Sequence, residues 1–304
     1  MKKVIVTTTI NSPTKAIDLF ESMEGWELVV IGDKKTPVNY KLKNGQYISP
    51  SEQESYDKEL SDAIGWNCIQ RRNFGLLWAN DMQADVVAVV DDDNIPLKNW
   101  GQQLLINKEV NVTQYQTVEP AFDPIGATNH KNLWHRGFPL QCIKSRDYQS
   151  IKQTSIRPDI QADFWNGDPD IDAICRMEHA PECDFDSSCF PFASTKPAPF
   201  NSQNTFISGS CLKDYFLFPH IGRMDDIWAS YYMQAKGYKV VFNAASVYQE
   251  RNPHDLTKDM KKEYLGYENN LNLINDLKKD PEAILSYLPG KSIRAFELYK
   301  RHFK

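Results

Sequence analysis

The fold of this chain is decided by residues 86–96, which have the sequence VVAVVDDDNIP. The first five residues are apolar and mostly β-branched, long enough for one strand buried on both faces and short for a helix. Asp91, Asp92 and Asp93 then follow with no basic residue among them. Carboxylates at the carboxyl end of a buried parallel strand point into the crevice where open α/β sheets bind ligands. The sequence therefore predicts a ligand site at this end of the strand.

A divalent cation would suit the acidic tip, the name used below for Asp91, Asp92 and Asp93. Adjacent carboxylates repel one another unless a cation neutralises them. Mg²⁺ and Mn²⁺ prefer oxygen ligands, and protein sites often supply only one or two carboxylates while water and substrate phosphates complete the shell. The alternative is an acidic turn, because Asp and Asn are ordinary turn residues before a proline. On this stretch alone, the two interpretations carry equal weight.

Length, charge and cysteine content restrict the class of protein. A chain of 304 residues allows one large or two ordinary domains. Its formal net charge of −5 argues against general nucleic-acid binding, which needs a basic surface. The six cysteines have no paired zinc-type spacing and are expected to be reduced thiols. The amino-terminal apolar run is too short for a signal peptide, and no run approaches the ~18 apolar residues of a membrane span. We therefore expect a cytoplasmic protein, at most peripheral to the inner membrane face.

Apolar runs and helical patterns alternate through the first 90 residues. Residues 4–6 predict a first strand, residues 13–20 a helix and residues 26–33 a second buried strand. A further helix is predicted over residues 69–79, ahead of the strand at residues 86–90. This β-α-β-α-β order predicts an α/β fold with a Rossmann-like, mostly parallel central sheet flanked by helices.

Five residues before the acidic tip are candidate contacts to a nucleotide. Thr8 lies where the first strand runs into a polar loop, and Asp33 ends the second strand. Asp33 either hydrogen-bonds a ribose or base, or caps a turn. Arg71, Arg72 and Asn73 lie near the start of a predicted helix, where positive side chains and free backbone N–H groups suit a diphosphate. The alternative for the arginines is a solvated helix face.

Beyond the tip, residues 97–108 predict a helix, and residues 110–160 have no regular period. Within them, HRGFPL at residues 135–140 places Arg136 in a turn beside glycine and proline. A loop arginine beside a cleft can clamp a phosphate or carboxylate; otherwise this is a surface turn. A second acidic turn at residues 165–172 either faces an acceptor hydroxyl or caps the next helix.

Three more candidates lie near the end of the predicted main domain. Asp225 and Asp226 begin a predicted helix, where the helix dipole favours negative charge. Alternatively, one of these carboxylates is a general base for a hydroxyl at the rim of the cleft. A last core strand is predicted at residues 239–242, and His254 lies in the loop after it, where it either reaches the metal or is a surface residue.

The composition shifts after about residue 255 to Lys, Glu, Asn and Leu with helical spacing. We therefore predict a main domain over residues 1–255 and a helical extension over residues 256–304, packed on that domain or on another subunit of a homo-oligomer. The basic, amphipathic residues 293–304 could lie on a membrane surface. Packing against the chain's own domain is the favoured alternative, because short amphipathic helices usually cover a core.

Taken together, these motifs resemble nucleotide-sugar glycosyltransferases of the GT-A fold. The DDD of the acidic tip, RGFP at residues 136–139 and GRMDDIWA at residues 222–229 resemble the reversibly glycosylated polypeptide family, which includes UDP-arabinopyranose mutases. The opening of the chain, with IGDKKTP at residues 31–37 and RNFG at residues 72–75, is similar instead to STELLO-type glycosyltransferase-like domains. The resemblance extends over residues 1–255.

The resemblance implies roles for individual residues. Asp91 and Asp92 would contact the nucleotide, and Asp93, together with Asp91, would hold Mn²⁺ or Mg²⁺ on the diphosphate as a DXD-like motif. Asp225 or Asp226 would face the acceptor, and a carboxylate base at Asp226 would activate the acceptor hydroxyl in an inverting transfer. Arg136 matches the arginine that becomes glycosylated in the polypeptide family.

The chain departs from that family at two positions. Asn94 replaces a usual cysteine. The histidine that follows the family's last strand aligns with Gln249, which displaces His254 and leaves the third metal ligand open.

The implied activity is metal-dependent transfer of a sugar from a UDP-sugar to a hydroxyl of a glycan or lipid-linked acceptor, as in polysaccharide biosynthesis. One alternative is a UDP-sugar mutase that reversibly glycosylates itself at Arg136. Another is a nucleotide-sugar-binding scaffold without catalysis.

Overall fold

The structure is a computed structural model that describes residues 1–250 and 255–303. In those residues the strands are β1 (Lys3–Thr9), β2 (Glu27–Gly32), β3 (Gln46–Ile48), β4 (Val86–Val90), β5 (Asn94–Pro96), β6 (Val110–Gln116), β7 (Gln149–Ile156), β8 (Ile160–Gly167), β9 (Phe192–Ser194), β10 (Asn204–Ser208) and β11 (Val240–Gln249). The α-helices are α1 (Lys15–Glu21), α2 (Pro50–Tyr56), α3 (Lys58–Ile64), α4 (Arg72–Asp81), α5 (Ala173–His179), α6 (Asp225–Ala235), α7 (Leu256–Leu277) and α8 (Gly290–Lys300).

One central sheet contains all of these strands, in the order β3-β2-β1-β4-β10-β8-β11-β9-β6-β7, with β5 paired to β11. The first four strands of this order are parallel, which confirms the predicted β-α-β series. β10 is antiparallel to both β4 and β8, so the sheet is mixed rather than mostly parallel. β8 is parallel to β11. The carboxyl ends of β1, β2, β4, β8 and β11 therefore meet at one edge of the sheet.

The strand that precedes the acidic tip forms the middle of the core. All five residues of β4 are 0% exposed, as a β-branched run between two neighbouring strands requires. α4 packs closely over β1 and β2, because a Cβ at Gly75 would lie only 2.3 Å from Val6 Cγ1. This contact fixes the start of α4 beside the carboxyl edge of the sheet.

The helices after residue 255 pack into the same hydrophobic core as the sheet. The Phe296 ring on α8 lies 5.3 Å from that of Phe216, and the Tyr299 hydroxyl donates to the Leu212 carbonyl at 2.7 Å. The Arg294 guanidinium donates to Glu59 at 2.7 Å. The apolar face of α8 is thus covered by the chain's own domain, which confirms the packing alternative; the division at residue 255 stays a prediction. Among the described residues, no helix is long and apolar enough to cross a membrane.

Two predictions beyond the tip are wrong. Residues 97–108 form turns instead of a helix, and residues 110–160 contain the long strands β6 and β7. β6 and β7 pair with each other near one end of the strand order. Buried and exposed residues do not alternate strictly along β6, so the sequence has no two-residue period that would predict a strand.

Candidate active site

The acidic tip is a turn between two strands at the carboxyl edge of the sheet. The backbone N–H of Asp91 donates to the Gln203 carbonyl at 3.2 Å, and that of Asn94 donates to the Asp91 carbonyl at 3.3 Å. Asn94 then begins β5 and lies opposite Gln249 in β11. The three aspartates are half-buried, whereas the strand before them is completely buried. The tip is therefore a fixed turn that stays open to solvent.

Arg72 supplies a buried positive charge to the tip. Its Nη2 donates to Asp91 Oδ1 at 2.7 Å, and its Nη1 donates to the Ser202 carbonyl at 2.7 Å. The guanidinium is 0% exposed. Burial raises the pKa of Asp91, and the attraction of Arg72 only partly offsets this. The structure thus brings together two of the predicted nucleotide contacts, 19 residues apart.

Asp92 faces the end of β1. Its Oδ2 accepts hydrogen bonds from the Thr9 hydroxyl at 2.5 Å and from Asn11 Nδ2 at 3.1 Å, and its carbonyl accepts one from the Thr14 hydroxyl. The hydroxyl of the neighbouring Thr8 donates to the Ile31 carbonyl at 2.8 Å. Asp92 therefore ties the tip to the loop after β1, and a nucleotide contact by Thr8 or Asp92 stays a prediction.

Asp33 organises the loop before α4. Its carboxylate accepts hydrogen bonds from the backbone N–H groups of Lys34 at 2.6 Å, Asn67 at 2.8 Å and Cys68 at 3.1 Å. The residue is 2% exposed. These are the hydrogen bonds of a carboxylate that organises a turn, and a contact of Asp33 to a ribose or base stays a prediction.

Arg71 and Asn73 are held inside the domain. Arg71 is 0% exposed, and its Nε and Nη2 donate to Gln53 Oε1 at 2.8 and 2.6 Å. Asn73 exchanges two hydrogen bonds of 2.9 Å with the backbone of Leu217. Their side-chain polar groups thus have partners in the core on either side of Arg72, and a contact of Arg71 or Asn73 to the diphosphate stays a prediction.

Arg136 lies between two carboxylates and is not part of a surface turn. Its five N–H groups have five acceptors: two oxygens of Asp170 at 2.8 and 2.9 Å, two of Asp226 at 3.0 Å, and the Arg223 carbonyl. Gly137 permits this position, since a Cβ there would lie 2.2 Å from Ile227 Cγ2, and its φ is +90°.

The charge on Arg136 is firmly held. Burial lowers the pKa of Arg136, but the charges of Asp170 and Asp226 outweigh it and raise the pKa well above its ordinary value. Self-glycosylation would need an accessible, uncharged nitrogen. A buried guanidinium with every donor engaged does not suit that alternative.

Asp225 and Asp226 are adjacent in the first turn of α6, but their surroundings differ. Asp226 accepts from both Nη atoms of Arg136 and from the Ser202 backbone N–H at 3.0 Å. The Asp225 carboxylate accepts from Gln70 Nε2 at 2.7 Å, a neutral donor. Burial, followed by the charge of Asp226, raises the pKa of Asp225 to about 7. Asp225 is therefore suited to exchange a proton near neutral pH, and Asp226 is suited to hold a charge.

A continuous set of polar contacts joins the tip to α6. Ser202 accepts from Arg72 through its carbonyl and donates to Asp226 through its N–H, so the path runs from Asp91 through Arg72 and Ser202 to Asp226. Sequence reasoning missed Ser202 entirely, because nothing marks a serine in a loop. It also missed the pairing role of Asp170, although the acidic turn at residues 165–172 was recognised.

In that same turn, Asp172 caps α5 by accepting from the Cys175 backbone N–H at 2.8 Å, which confirms the capping alternative for that residue.

The donor set at the tip fits a cation carried by a substrate. Within residues 1–250 and 255–303, no group of three or more His, Cys, Asp or Glu side chains is placed to hold a metal. The described side chains thus do not form a complete set of protein ligands for a metal. Mg²⁺ or Mn²⁺ does not require a complete set when one or two carboxylates and a substrate diphosphate bind it. That Asp93, together with Asp91, holds such a cation stays a prediction. His254, predicted as a metal ligand, lies outside the described residues.

No known protein-family model matches the sequence. Among curated proteins, the chain is 23% identical over 253 residues to the probable glycosyltransferase STELLO1 of Arabidopsis thaliana, a match that covers 77% of this chain and 33% of that protein. It is also 23% identical over 185 residues to the probable glycosyltransferase STELLO2 of Arabidopsis thaliana, covering 57% of this chain and 24% of that protein. The chain thus spans about a third or less of the curated relatives it matches.

Solved structures with similarity to the chain include glucosyl-3-phosphoglycerate synthase of Mycobacterium tuberculosis. Its complex with phosphoglyceric acid has a TM-score of 0.47 and 12% identity, covering 90% of this chain and 80% of that one. Its complex with Mn²⁺ and UDP-glucose has a TM-score of 0.44 and 10% identity, covering 89% and 79%. By sequence, the chain is homologous to part of STELLO1 and STELLO2, which are described as probable glycosyltransferases.

Proposed function

We propose that the chain is a metal-dependent glycosyltransferase that moves a sugar from a UDP-sugar to a hydroxyl group of a glycan or lipid-linked acceptor. The proposal assigns catalysis to residues 1–255, with the later helices as an extension. It is supported by the glycosyltransferase relatives and by one observation above all. A protonatable carboxylate, Asp225, lies beside the arginine-bound Asp226, at the end of a polar path that begins at the acidic tip.

The acidic tip is proposed to receive the donor. Asp93 and Asp91 would hold Mn²⁺ or Mg²⁺ on the diphosphate, and a bound divalent ion stabilises the negative charge of the departing diphosphate. Arg72 would add a fixed positive charge, since its guanidinium is buried within 2.7 Å of Asp91. Asp92 holds the turn against the loop after β1 and keeps these groups in place.

Asp225, instead of the predicted Asp226, is proposed as the general base of an inverting transfer, because Arg136 holds both carboxylate oxygens of Asp226. The acceptor oxygen would form a bond to the anomeric carbon while its proton passes to the Asp225 carboxylate. The bond between the anomeric carbon and the diphosphate oxygen would break, and its electron pair would leave with the diphosphate. A base with a pKa of about 7 is matched to this task near neutral pH.

Asp226 and Arg136 are proposed to support that base. Arg136, which is shared with Asp170, offsets only part of the charge of Asp226 and fixes its orientation through two hydrogen bonds of 3.0 Å. The remaining negative charge of Asp226 raises the proton affinity of Asp225, which is the second cause of its shifted pKa. If Arg136 did not pair with Asp226, the two buried carboxylates would share one proton, and neither would be defined as the base.

The proposal is tested by measuring nucleotide release from a panel of UDP-, GDP- and TDP-sugars, each with Mn²⁺ and with EDTA. We expect release of UDP from at least one UDP-sugar, dependent on Mn²⁺ and faster when an acceptor oligosaccharide is added. Ring-form interconversion of a UDP-pentose without nucleotide release, followed by NMR, would favour a mutase. Release from no nucleotide sugar under any condition would refute the proposed activity.

A further inference from the structure

A cavity of about 610 Å³ lies at the same edge of the sheet as the acidic tip. It includes Asn166, the residue before the last in β8, and the segment at residues 184–187 that follows the bridge from Gly167 to Cys183. In the ladder, Gly167 is opposite Gln249, and Gln249 is opposite Asn94 next to the tip. Two strand spacings of about 4.8 Å each separate Asn94 from Gly167, so the cavity begins about 10 Å from the tip.

The wall of the cavity is built by two asparagines. Asn166 donates to Asp184 Oδ1 at 2.7 Å and accepts from the Phe185 backbone N–H at 3.1 Å. Asn129 donates to the Asp184 carbonyl at 2.9 Å and accepts from the Asp186 backbone N–H at 3.0 Å. The ring of Phe185 is buried behind this wall. The segment is thus held from both sides in one conformation.

A bulge in β11 opens the opposite side of the cavity. The register of β11 against β8 shifts between Asn243 and Val247, which removes Ala244 and Ala245 from regular pairing. Both alanines line the cavity, and their small side chains leave its volume empty of protein atoms. The bulge in β11 therefore leaves space for the cavity at this edge of the sheet.

The polar lining has a definite chemistry. In the part of the chain that the structure describes, it consists of Asn99, Asn129, Asn166, Asp184, Asp186 and Ser187, with no lysine or arginine. Amide groups both donate and accept, and carboxylates accept, which complements the hydroxyl groups of sugars. Two carboxylates without a cation repel phosphates and uronates.

We propose that this cavity is an acceptor subsite that binds the neutral sugar units of an oligosaccharide next to the transferred residue. This inference rests on the proposed function and adds the class of acceptor: a neutral glycan chain, not a phosphorylated small molecule. Its distance from the tip suits binding of units away from the reacting hydroxyl.

The test is saturation-transfer NMR on the full chain with UDP and Mn²⁺ present. The probes are cellotetraose, xylotetraose and maltotetraose, with tetragalacturonate as the anionic comparison. We expect contacts to at least one neutral tetrasaccharide and none to the uronate. Asn99→Arg should lower the affinity for that neutral probe at least tenfold, because it places bulk in the cavity. Gln102→Arg, on the same exposed loop but outside the lining, should not change it.

Thermal stabilisation by UDP-sugar with Mn²⁺ is recorded on the same samples and separates the two claims. If nucleotide sugars bind but no neutral tetrasaccharide does, or if Asn99→Arg binds as the wild type does, the subsite is refuted and the proposed function stands. Preferential binding of tetragalacturonate also refutes it. If neutral sugars bind in the predicted cavity and no nucleotide sugar binds, the transferase proposal fails and the sugar-binding cavity stands.

Discussion

The acidic tip and the first turn of α6 both present adjacent carboxylates at one edge of the sheet, but they differ in exposure and in counter-charge. The tip is half-buried and has Arg72 on one of its three aspartates. Asp225 and Asp226 are 5% and 4% exposed, and of these two only Asp226 forms an ion pair with Arg136. Open carboxylates suit a cation that arrives with its substrate, whereas an enclosed pair with one arginine suits transfer of a proton. The comparison is therefore consistent with the proposed function, in which the tip binds the metal and the first turn of α6 carries the acid–base chemistry.

The largest expected effect comes from removing the proton acceptor. Asp225→Asn should lower kcat by about 10² to 10⁴-fold with little change in donor KM, because a general base acts in the transition state. Steady-state kinetics with saturating UDP-sugar measures this.

Asp172→Asn is the matched control, since Asp172 is equally buried and burial raises its pKa to about 7 as well. Its role is to cap α5, which asparagine also does, so kcat should stay within a few-fold of wild type. If Asp225→Asn is as active as this control, Asp225 is not the general base, and the assignment of acid–base chemistry to α6 is contradicted.

The ion pairs of Arg136 should dominate stability. Arg136→Met leaves Asp170 and Asp226 buried without their cation, and breaking a buried pair in this way costs about 3–5 kcal/mol. Urea denaturation should show that loss in the free energy of unfolding. Arg294→Met removes the exposed contact to Glu59 and should cost at most about 1 kcal/mol. Equal losses in the two variants would contradict the account of a buried arginine between two carboxylates.

The enclosed pair also predicts a pH dependence of stability. The pKa of Asp225 is raised to about 7 in the folded chain, against about 3.9 for an unfolded aspartate. Between these values the native state keeps a proton that the unfolded state releases, so this group makes stability fall as pH rises from about 4 to about 7. The Asp225→Asn variant has no ionisable group at this position, so its stability does not fall with pH for this reason.

Relative to wild type, Asp225→Asn should therefore gain about 3 kcal/mol of unfolding free energy between pH 4.5 and pH 8. Urea denaturation of both proteins across this range measures the difference, which cancels the contributions of other carboxylates. A difference that is constant with pH would show that Asp225 titrates normally.

The smallest expected effect concerns Gln70, which donates to Asp225 at 2.7 Å. This hydrogen bond lowers the pKa of Asp225, so Gln70→Leu should raise it further. The activity–pH profile should shift to higher pH, with about a two- to tenfold loss of kcat at pH 6.5 and little loss at pH 9. A loss that is uniform across pH would indicate a structural defect and not a positioning role.

The amino-terminal half of the fold was predictable because its signals are local. β4 is a continuous β-branched run, and the β-α-β-α-β order follows from such runs separated by helical patterns. The acidic tip was found for the same reason, since carboxylates after a buried strand point to the sheet edge. β10 was harder to place, because its position between β4 and β8 depends on pairing with strands far apart in the chain.

Within the site, sequence could identify charged residues but not their orientation. Arg71 and Arg72 are adjacent and chemically identical, yet one faces Gln53 and the other faces Asp91. Only the helix geometry decides which side each takes. The partners of Arg136 lie 34 and 90 residues away, so no spacing rule could have found them.

The central claim is that the acidic tip binds a nucleotide diphosphate sugar through a divalent ion. It is tested most directly by thermal unfolding of wild type, Asp93→Asn and Asp85→Asn with UDP-sugars, with and without Mn²⁺. Asp85 is an exposed residue at the opposite end of β4 and is the control.

At a UDP-sugar concentration 100 times its Kd, wild type and Asp85→Asn should gain about 2.7 kcal/mol of stability, only when Mn²⁺ is present. Asp93→Asn should lose most of that gain. A Mn²⁺-dependent gain in Asp93→Asn equal to that of wild type, or no gain in wild type with any UDP-sugar, would contradict the account.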